Sequence, residues 1–183
     1  MRKVTAGFFH SVDGVVDQPD QWQFDSFDAE LGEIMGGLMM NIDTVLMGRV
    51  GYEEWASYWP NAEMDQDFGG FINSVPKFVA SRTLTKELTW QNSHLIEGDL
   101  FDFVRGLKEG EGGEIAVMGG ISLARQLLFA GLLDSLTLIT HPVVVGHGRR
   151  LFEPGEKTTR LQLLDAKSTS AGNVVSTYAL KQV

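Results

Sequence analysis

Cysteine is absent from the 183-residue chain, which excludes a disulfide framework and any thiolate metal site and suits a reducing cytoplasm. No stretch approaches eighteen consecutive apolar residues, and no basic-then-apolar leader precedes the first strand-like run, so a soluble protein with no membrane partner is expected. Positive charge is scarce as well. Fifteen Lys and Arg stand against 24 Asp and Glu, a net charge of -9, and a chain that binds nucleic acid normally needs a basic face that this balance does not supply. Any anionic ligand must find a local exception. Signature motifs are also missing: there is no GxGxxG dinucleotide fingerprint, no GxSxG nucleophile elbow, and no His and carboxylate spacing that suggests a metal site.

Glycine is what the chain has in excess. Its 21 glycines exceed the roughly 7% of ordinary chains, and they sit at the ends of apolar runs, where tight turns are made. Length and an ordinary apolar fraction point to one domain over residues 1–183.

Periodicity predicts strands at residues 3–9, 43–48, 76–81, 114–120 and, through SLTLITHPVVVG, 135–146. Helices are predicted from Asp25, with Phe27, Leu31, Ile34, Met35 and Leu38 on its buried face, then through RVGYEEWASYW. Another follows Asp99 as N-cap and stops at Gly110, and a fourth is ISLARQLLFAG, with Leu123, Ala124, Leu127 and Leu128 as the buried stripe. The final RLQLLDAKS and NVVSTYALK, joined by TSAG, read as a hairpin. Strands alternating with helices and ending in consecutive strands imply an α/β fold. Its mixed, mostly parallel sheet carries helices on both faces and a C-terminal antiparallel hairpin.

In such sheets ligands bind beyond the carboxyl ends of the strands. Three ends carry suggestive residues: Gly48 and Arg49, then Ser81 and Arg82, then Gly119, Gly120 and Ser122. Helix N-termini offer unpaired N–H groups, glycines let a backbone approach a pyrophosphate, and arginines supply donors for a further phosphate. A phosphorylated nucleotide is the ligand this pattern fits.

The succession VLMGRVGYE, KFVASRTL, IAVMGGISLARQLL and LLDSLTLITHPVVVGHGRRLF resembles the dihydrofolate reductase-like superfamily. Within it the chain is most similar to the reductase domain of the bifunctional riboflavin-biosynthesis enzyme and its stand-alone bacterial relatives. The resemblance runs from VTAGFFHSVDG to VVSTYAL. It implies a three-layer fold, NADPH as hydride donor, a homodimer, and a substrate cleft lined by the first strand, its following loop and the first helix. It also implies roles: Gly48 and Arg49 near the cofactor phosphates, Ser81 and Arg82 at the adenosine 2'-phosphate, and Gly119, Gly120, Ser122 and Leu123 at the pyrophosphate turn. The SVDG segment, with Asp13 and Gly14, falls near the nicotinamide. The chain departs from the riboflavin enzyme at Val15, where that signature has a lysine, and at YEEWASYWP, which replaces a substrate-phosphate motif. The acidic setting of folate reductases is not found in DSFDAELGEI.

For the small-molecule substrate, Trp22 and Phe24 are the expected aromatic wall, lying in a polar loop with no periodicity to bury them. The aromatics between Phe27 and Phe71 read instead as core or interface packing. Asp13 is the candidate proton donor, which would require a raised pKa. The resulting expectation is an NADPH-dependent reductase of a small, heterocyclic C=N or C=O compound. The rivals are a binding protein that has lost turnover and a flavin-binding redox protein.

Overall fold

A computed structural model describes residues 1–84 and 87–181. Its strands are β1 (Val4–Ser11), β2 (Ile42–Gly48), β3 (Lys77–Ala80), β4 (Ser93–Leu95), β5 (Glu114–Val117), β6 (Ser135–His141), β7 (Leu161–Ser168) and β8 (Val174–Leu180). They form one sheet in the order β4-β3-β2-β5-β1-β6-β8-β7. The first six pair in parallel, while β8 pairs antiparallel with both β6 and β7, so the hairpin forms one edge. The helices are α1 (Ala29–Met39), α2 (Arg49–Tyr58), α3 (Gln66–Ser74), α4 (Leu100–Glu109) and α5 (Ile121–Phe129).

Alternation along the strands sends successive side chains to opposite faces. Leu46 of β2 joins Val4, Ala6, Ile115 and Val117 in the main core, under Val104 of α4 and the α5 stripe Leu123, Ala124, Leu127 and Leu128. Each of the buried Val, Leu and Ile side chains contributes roughly 1.5–3 kcal/mol. Its neighbours Val45 and Met47 face the other way, onto Tyr52 of α2 and Ile72 of α3. On that same second face, Leu31 of α1 packs on Ile139 and Val175. Three layers result, with α4 and α5 on one face and α1, α2 and α3 on the other.

Three elements differ from the sequence-based expectation. The first helix begins at Ala29, because Asp28 accepts a hydrogen bond from the Leu31 N–H at 2.7 Å and caps it there, while residues 24–26 form a short 3-10 turn. Only Leu31 of its expected stripe is fully buried, and Phe27 and Leu38 are 46% and 41% exposed, since this helix overhangs a cleft. The long sixth strand ends at His141: Pro142 has no N–H for the ladder, and Val145 and Gly146 donate instead to Asp13. Helix α3 was not anticipated, because two glycines and a run of acids hide its period.

Candidate active site

Strands β3, β2 and β5 are adjacent and parallel, so their carboxyl ends reach one edge of the sheet together. After β2 the chain turns into α2 on one face; after β5 it turns into α5 on the opposite face. The crevice between these two diverging connections is a topological switch point, where open α/β sheets bind ligands.

The two turns touch through their backbones. Gly119 adopts a φ of +57°, which strains any residue with a side chain, and its carbonyl oxygen would lie 1.8 Å from a Cβ placed on Gly51. A Cβ on Gly120 would meet the Gly48 nitrogen at 3.2 Å, and one on Gly48 would meet the Gly120 α-carbon at 3.5 Å. The paired glycines therefore have a packing role before any ligand is considered. Gly51 completes the set, and sequence reasoning missed it because it sits inside a helical pattern rather than at a strand end.

Capping separates these helices from others. Asp28 caps α1 and Asp99 caps α4 by accepting first-turn N–H groups. Helices α2 and α5 open on Gly48 and Gly120 with no side-chain cap. Their first N–H groups thus keep their hydrogen-bonding capacity and partial positive charge. Gly48, Gly119, Gly120, Ser122 and Leu123 all line one cleft of about 2350 Å³ that runs along this crevice.

Arg49, Ser81 and Arg82 line the same cleft. Arg49 is 43% exposed and pairs with Glu53 one turn on, at 2.7 Å. Such an exposed pair is worth under about 1 kcal/mol, so the guanidinium is free to exchange partners. The Ser81 hydroxyl accepts from the Thr83 and Leu84 N–H groups at 3.1 and 2.9 Å, and so holds the turn that presents Arg82. The eight residues expected at the cofactor all belong to this cleft's lining.

The expected substrate and proton-donor residues do not. Trp22 is only 7% exposed; its indole N–H donates to the Asp17 carbonyl at 2.8 Å, and its ring meets His141 edge-on at 5.8 Å. It anchors the loop from beneath instead of lining the cleft. Phe24 is 75% exposed at a φ of +40° and lies outside the cleft lining. The wall is built by aromatics that the sequence reading had assigned to packing, namely Trp55, Tyr58 and Trp59 from α2 and its extension, with Phe68 of α3. Their helical spacing was legible, but which face met open space was not. Tyr52 does belong to the core, its hydroxyl accepting from the Trp90 N–H at 3.1 Å.

Asp13 also stands apart from the cleft lining. Its carboxylate accepts from the Val145 and Gly146 N–H groups at 2.9 and 2.8 Å and from the Ser11 hydroxyl at 2.7 Å. These bonds, led by the one from Val145, hold its pKa well below the usual carboxylate range. That is opposite to what a proton donor needs. Asp13 clasps the turn after β1 to residues 145–146, and Arg150 donates to its backbone carbonyl at 2.9 Å.

His141 is structural by the same test. His141 is fully buried, with Nδ1 2.6 Å from the Ser26 hydroxyl, and burial lowers its pKa. Among the described residues no group of three or more His, Asp or Glu could hold a metal ion, and no helix is long and apolar enough to cross a membrane.

Comparison with known proteins identifies the family and the fold. The model of the RibD C-terminal domain family matches residues 2–175. The protein YyaP of Bacillus subtilis, itself uncharacterised, is 30% identical over 175 residues, covering 94% of this chain and 88% of that protein. A protein from Shewanella sp. PV-4 named for riboflavin biosynthesis superposes with a TM-score of 0.74 at 20% identity, over 98% of this chain and 99% of that one. Dihydrofolate reductase from Enterococcus faecalis superposes with a TM-score of 0.64 at 12% identity, over 98% and 97% of the two chains. With a fold shared by dihydrofolate reductase and a family model spanning nearly its whole length, the chain belongs to the RibD C-terminal domain family.

Proposed function

We propose that this chain is a single-domain, NADPH-dependent reductase of a small heterocyclic compound containing a C=N or C=O group. One observation carries the reading: two helices opened by glycine and left uncapped converge at the switch point, with Arg49 and Arg82 beside them. That donor set fits a dinucleotide phosphate, since backbone N–H groups and a helix dipole take the pyrophosphate and arginines take the 2'-phosphate. The solved dihydrofolate reductase of the same fold is described as bound to NADP(H), which supports this assignment. The cleft's volume of about 2350 Å³ exceeds the roughly 300–1,000 Å³ of a site for one drug-sized ligand, leaving room for a second molecule.

Bound there, NADPH would supply a hydride to carbon. The protein's own tasks are to hold the acceptor beside it and to restrict water. Asp13, held ionised and outside the lining, is not placed to give the proton that completes the reduction, whereas the carboxyl groups of Asp17, Asp20, Glu54 and Asp67 line the cleft. The wall of Trp55, Trp59 and Phe68 gives a flat acceptor an apolar surface. Cytoplasmic residence and a homodimer belong to the same reading. The edge strand β7, with Leu163 and Leu164 about half exposed, supports the latter because exposed edges are usually covered.

The test is titration of the purified protein with NADPH, followed by absorbance loss at the nicotinamide band across pterins, pyrimidines and simple carbonyls. Saturable NADPH binding with turnover of one compound class is the expected result. A yellow protein that ignores NADPH would instead establish the flavin reading, and nucleotide binding without any turnover would establish a binding protein.

A further inference from the structure

From Val50 to Pro76 the chain has five acids, Glu53, Glu54, Glu63, Asp65 and Asp67, and no Lys or Arg. The same stretch supplies the aromatic wall of the cleft. Its rings meet at steep angles: Trp55 and Trp59 lie 6.0 Å apart at 64°, Trp55 and Phe68 5.9 Å apart at 80°, and Trp59 and Phe68 4.7 Å apart at 66°. Planes so inclined do not stack; they form an apolar corner that presents ring faces in more than one direction.

The corner is held from behind. Trp55, Trp59 and Phe68 pack on the cluster that contains Met47, Tyr52 and Ile72. The Asn73 side chain donates to the Trp59 carbonyl at 3.0 Å and accepts from the Trp90 indole N–H at 2.7 Å. All three rings nonetheless stay partly exposed, on the cleft.

The charge around it has one sign. The lining of the cleft carries eight carboxylates against four cations, and those cations are placed or occupied elsewhere. Arg49 and Arg82 stand at the proposed cofactor phosphates, and Lys3 precedes β1, at the other end of the parallel strands from Gly48. Arg149 is held by Asp17 at 2.6 Å, with Glu54 at 4.0 Å. Asp65 and Asp67, both exposed on the lining next to Phe68 in sequence, join no ion pair among the described residues. A cleft wall of one sign raises the local concentration of the opposite one, so a phosphate or carboxylate is disfavoured here. A compact, strongly hydrated ammonium would stay in water with the carboxylates. A cation whose charge is spread over methyl groups can enter an apolar corner, where ring faces attract it.

Resting on the reductase reading for the use made of the compound, we propose that Trp55, Trp59 and Phe68 form a recognition site for an alkylated ammonium group carried by the acceptor, with Glu54, Asp65 and Asp67 drawing it in.

The probes are choline, its neutral isostere 3,3-dimethylbutan-1-ol, and the unmethylated amine ethanolamine, each titrated into the purified protein without nucleotide and followed by saturation-transfer NMR. Wild type is expected to bind choline about tenfold or more tightly than either comparison compound. Trp59→Leu, which keeps an apolar side chain, should weaken choline about fivefold or more and leave the isostere within about twofold. Asp65→Asn combined with Asp67→Asn, at exposed positions that the fold does not use for ion pairing, should weaken choline about threefold or more at low salt and much less at high salt. Equal binding of choline and either comparison compound, or a full choline preference in a folded Trp59→Leu protein, would overturn the site. Unchanged choline affinity in the double Asn variant would overturn it as well, whether or not Trp59→Leu folds. Choline bound as expected by a protein that ignores NADPH would overturn the cofactor reading and not this one.

Discussion

Gly51→Ala adds one methyl group in the first turn of α2, 1.8 Å from the Gly119 carbonyl oxygen and 2.4 Å from its carbon. Both sides of that contact are backbone, so no side chain can rotate away. To restore ordinary separation the turn after β5 must retreat from α2 by more than about 1 Å, a displacement that a close-packed interior resists. Overpacking of this kind costs typically about 1–3 kcal/mol and sometimes more, against a helix-propensity gain of at most about 1 kcal/mol. For a chain of this size a net loss in that range lowers the melting temperature by about 3–10 °C.

The same retreat moves the N–H groups of residues 121–123 relative to those that open α2. On the proposed cofactor placement, losing one charge-assisted hydrogen bond to the pyrophosphate should weaken NADPH by about ten- to a hundredfold. Thermal denaturation followed by circular dichroism reads the first effect, and nicotinamide fluorescence titration reads the second. Gly106→Ala, which meets open space in α4, should show neither. A Gly51→Ala protein that melts with wild type and binds NADPH as tightly would refute the backbone-to-backbone contact and its role in shaping the site.

Arg49→Ala with Arg82→Ala should weaken NADPH by tenfold or more and NADH much less, as measured by paired titrations, with little change in melting temperature because the Arg49–Glu53 pair is exposed. An unchanged NADPH to NADH ratio would place the 2'-phosphate elsewhere. Lys77 is fully buried, donating to the Ile72 and Val75 carbonyls at 2.8 and 2.9 Å, and burial brings its pKa down to about 8. The unfolded chain then holds more protons than the folded one from about pH 8 to about 10.4, so stability rises across that window; urea melts of Lys77→Met should lack the rise. His141, also lowered by burial from 6.5, has the same sign at lower pH. Its stabilisation is complete above about 6.5 and is lost as pH falls toward its lowered value, a loss that His141→Asn should reduce in acid melts.

Much of the fold was legible because its signals are local. The α5 stripe of Leu123, Ala124, Leu127 and Leu128 follows the helical period, Asp99 and Gly110 bound α4 by known capping chemistry, and the hairpin is two strand-like runs around turn residues. The strand-end rule then placed Gly48, Arg49, Ser81, Arg82, Gly119 and Gly120 together without any distance being known. What failed depended on contacts far apart in sequence. Trp22 looked free within a polar loop, but His141, more than a hundred residues away, supplies the surface that buries it. Asp13 stood at the right strand end for chemistry, yet the N–H groups that claim its carboxylate belong to Val145 and Gly146. A strand predicted through those residues could not have released them.

One signal in the sequence separates a helix start closed by its own cap from one left open to an anion, and it lies in the residue before each helix. Aspartate precedes α1 and α4, and in both its carboxylate satisfies the first-turn N–H groups, closing them to any anion. Aspartate also precedes α3, where Asp65 makes no capping bond, but its charge would repel a phosphate. Glycine precedes α2 and α5. Glycine is itself an accepted N-cap residue, so either start alone would be ambiguous. Here the two uncapped starts follow adjacent parallel strands and lead to opposite faces of the sheet, so their positive ends face a shared crevice. In a chain of net charge -9 that crevice is the local exception the proposed anionic cofactor would require. Because the attraction would come from oriented backbone groups within hydrogen-bonding range, it would survive both the acidic surface and ordinary salt.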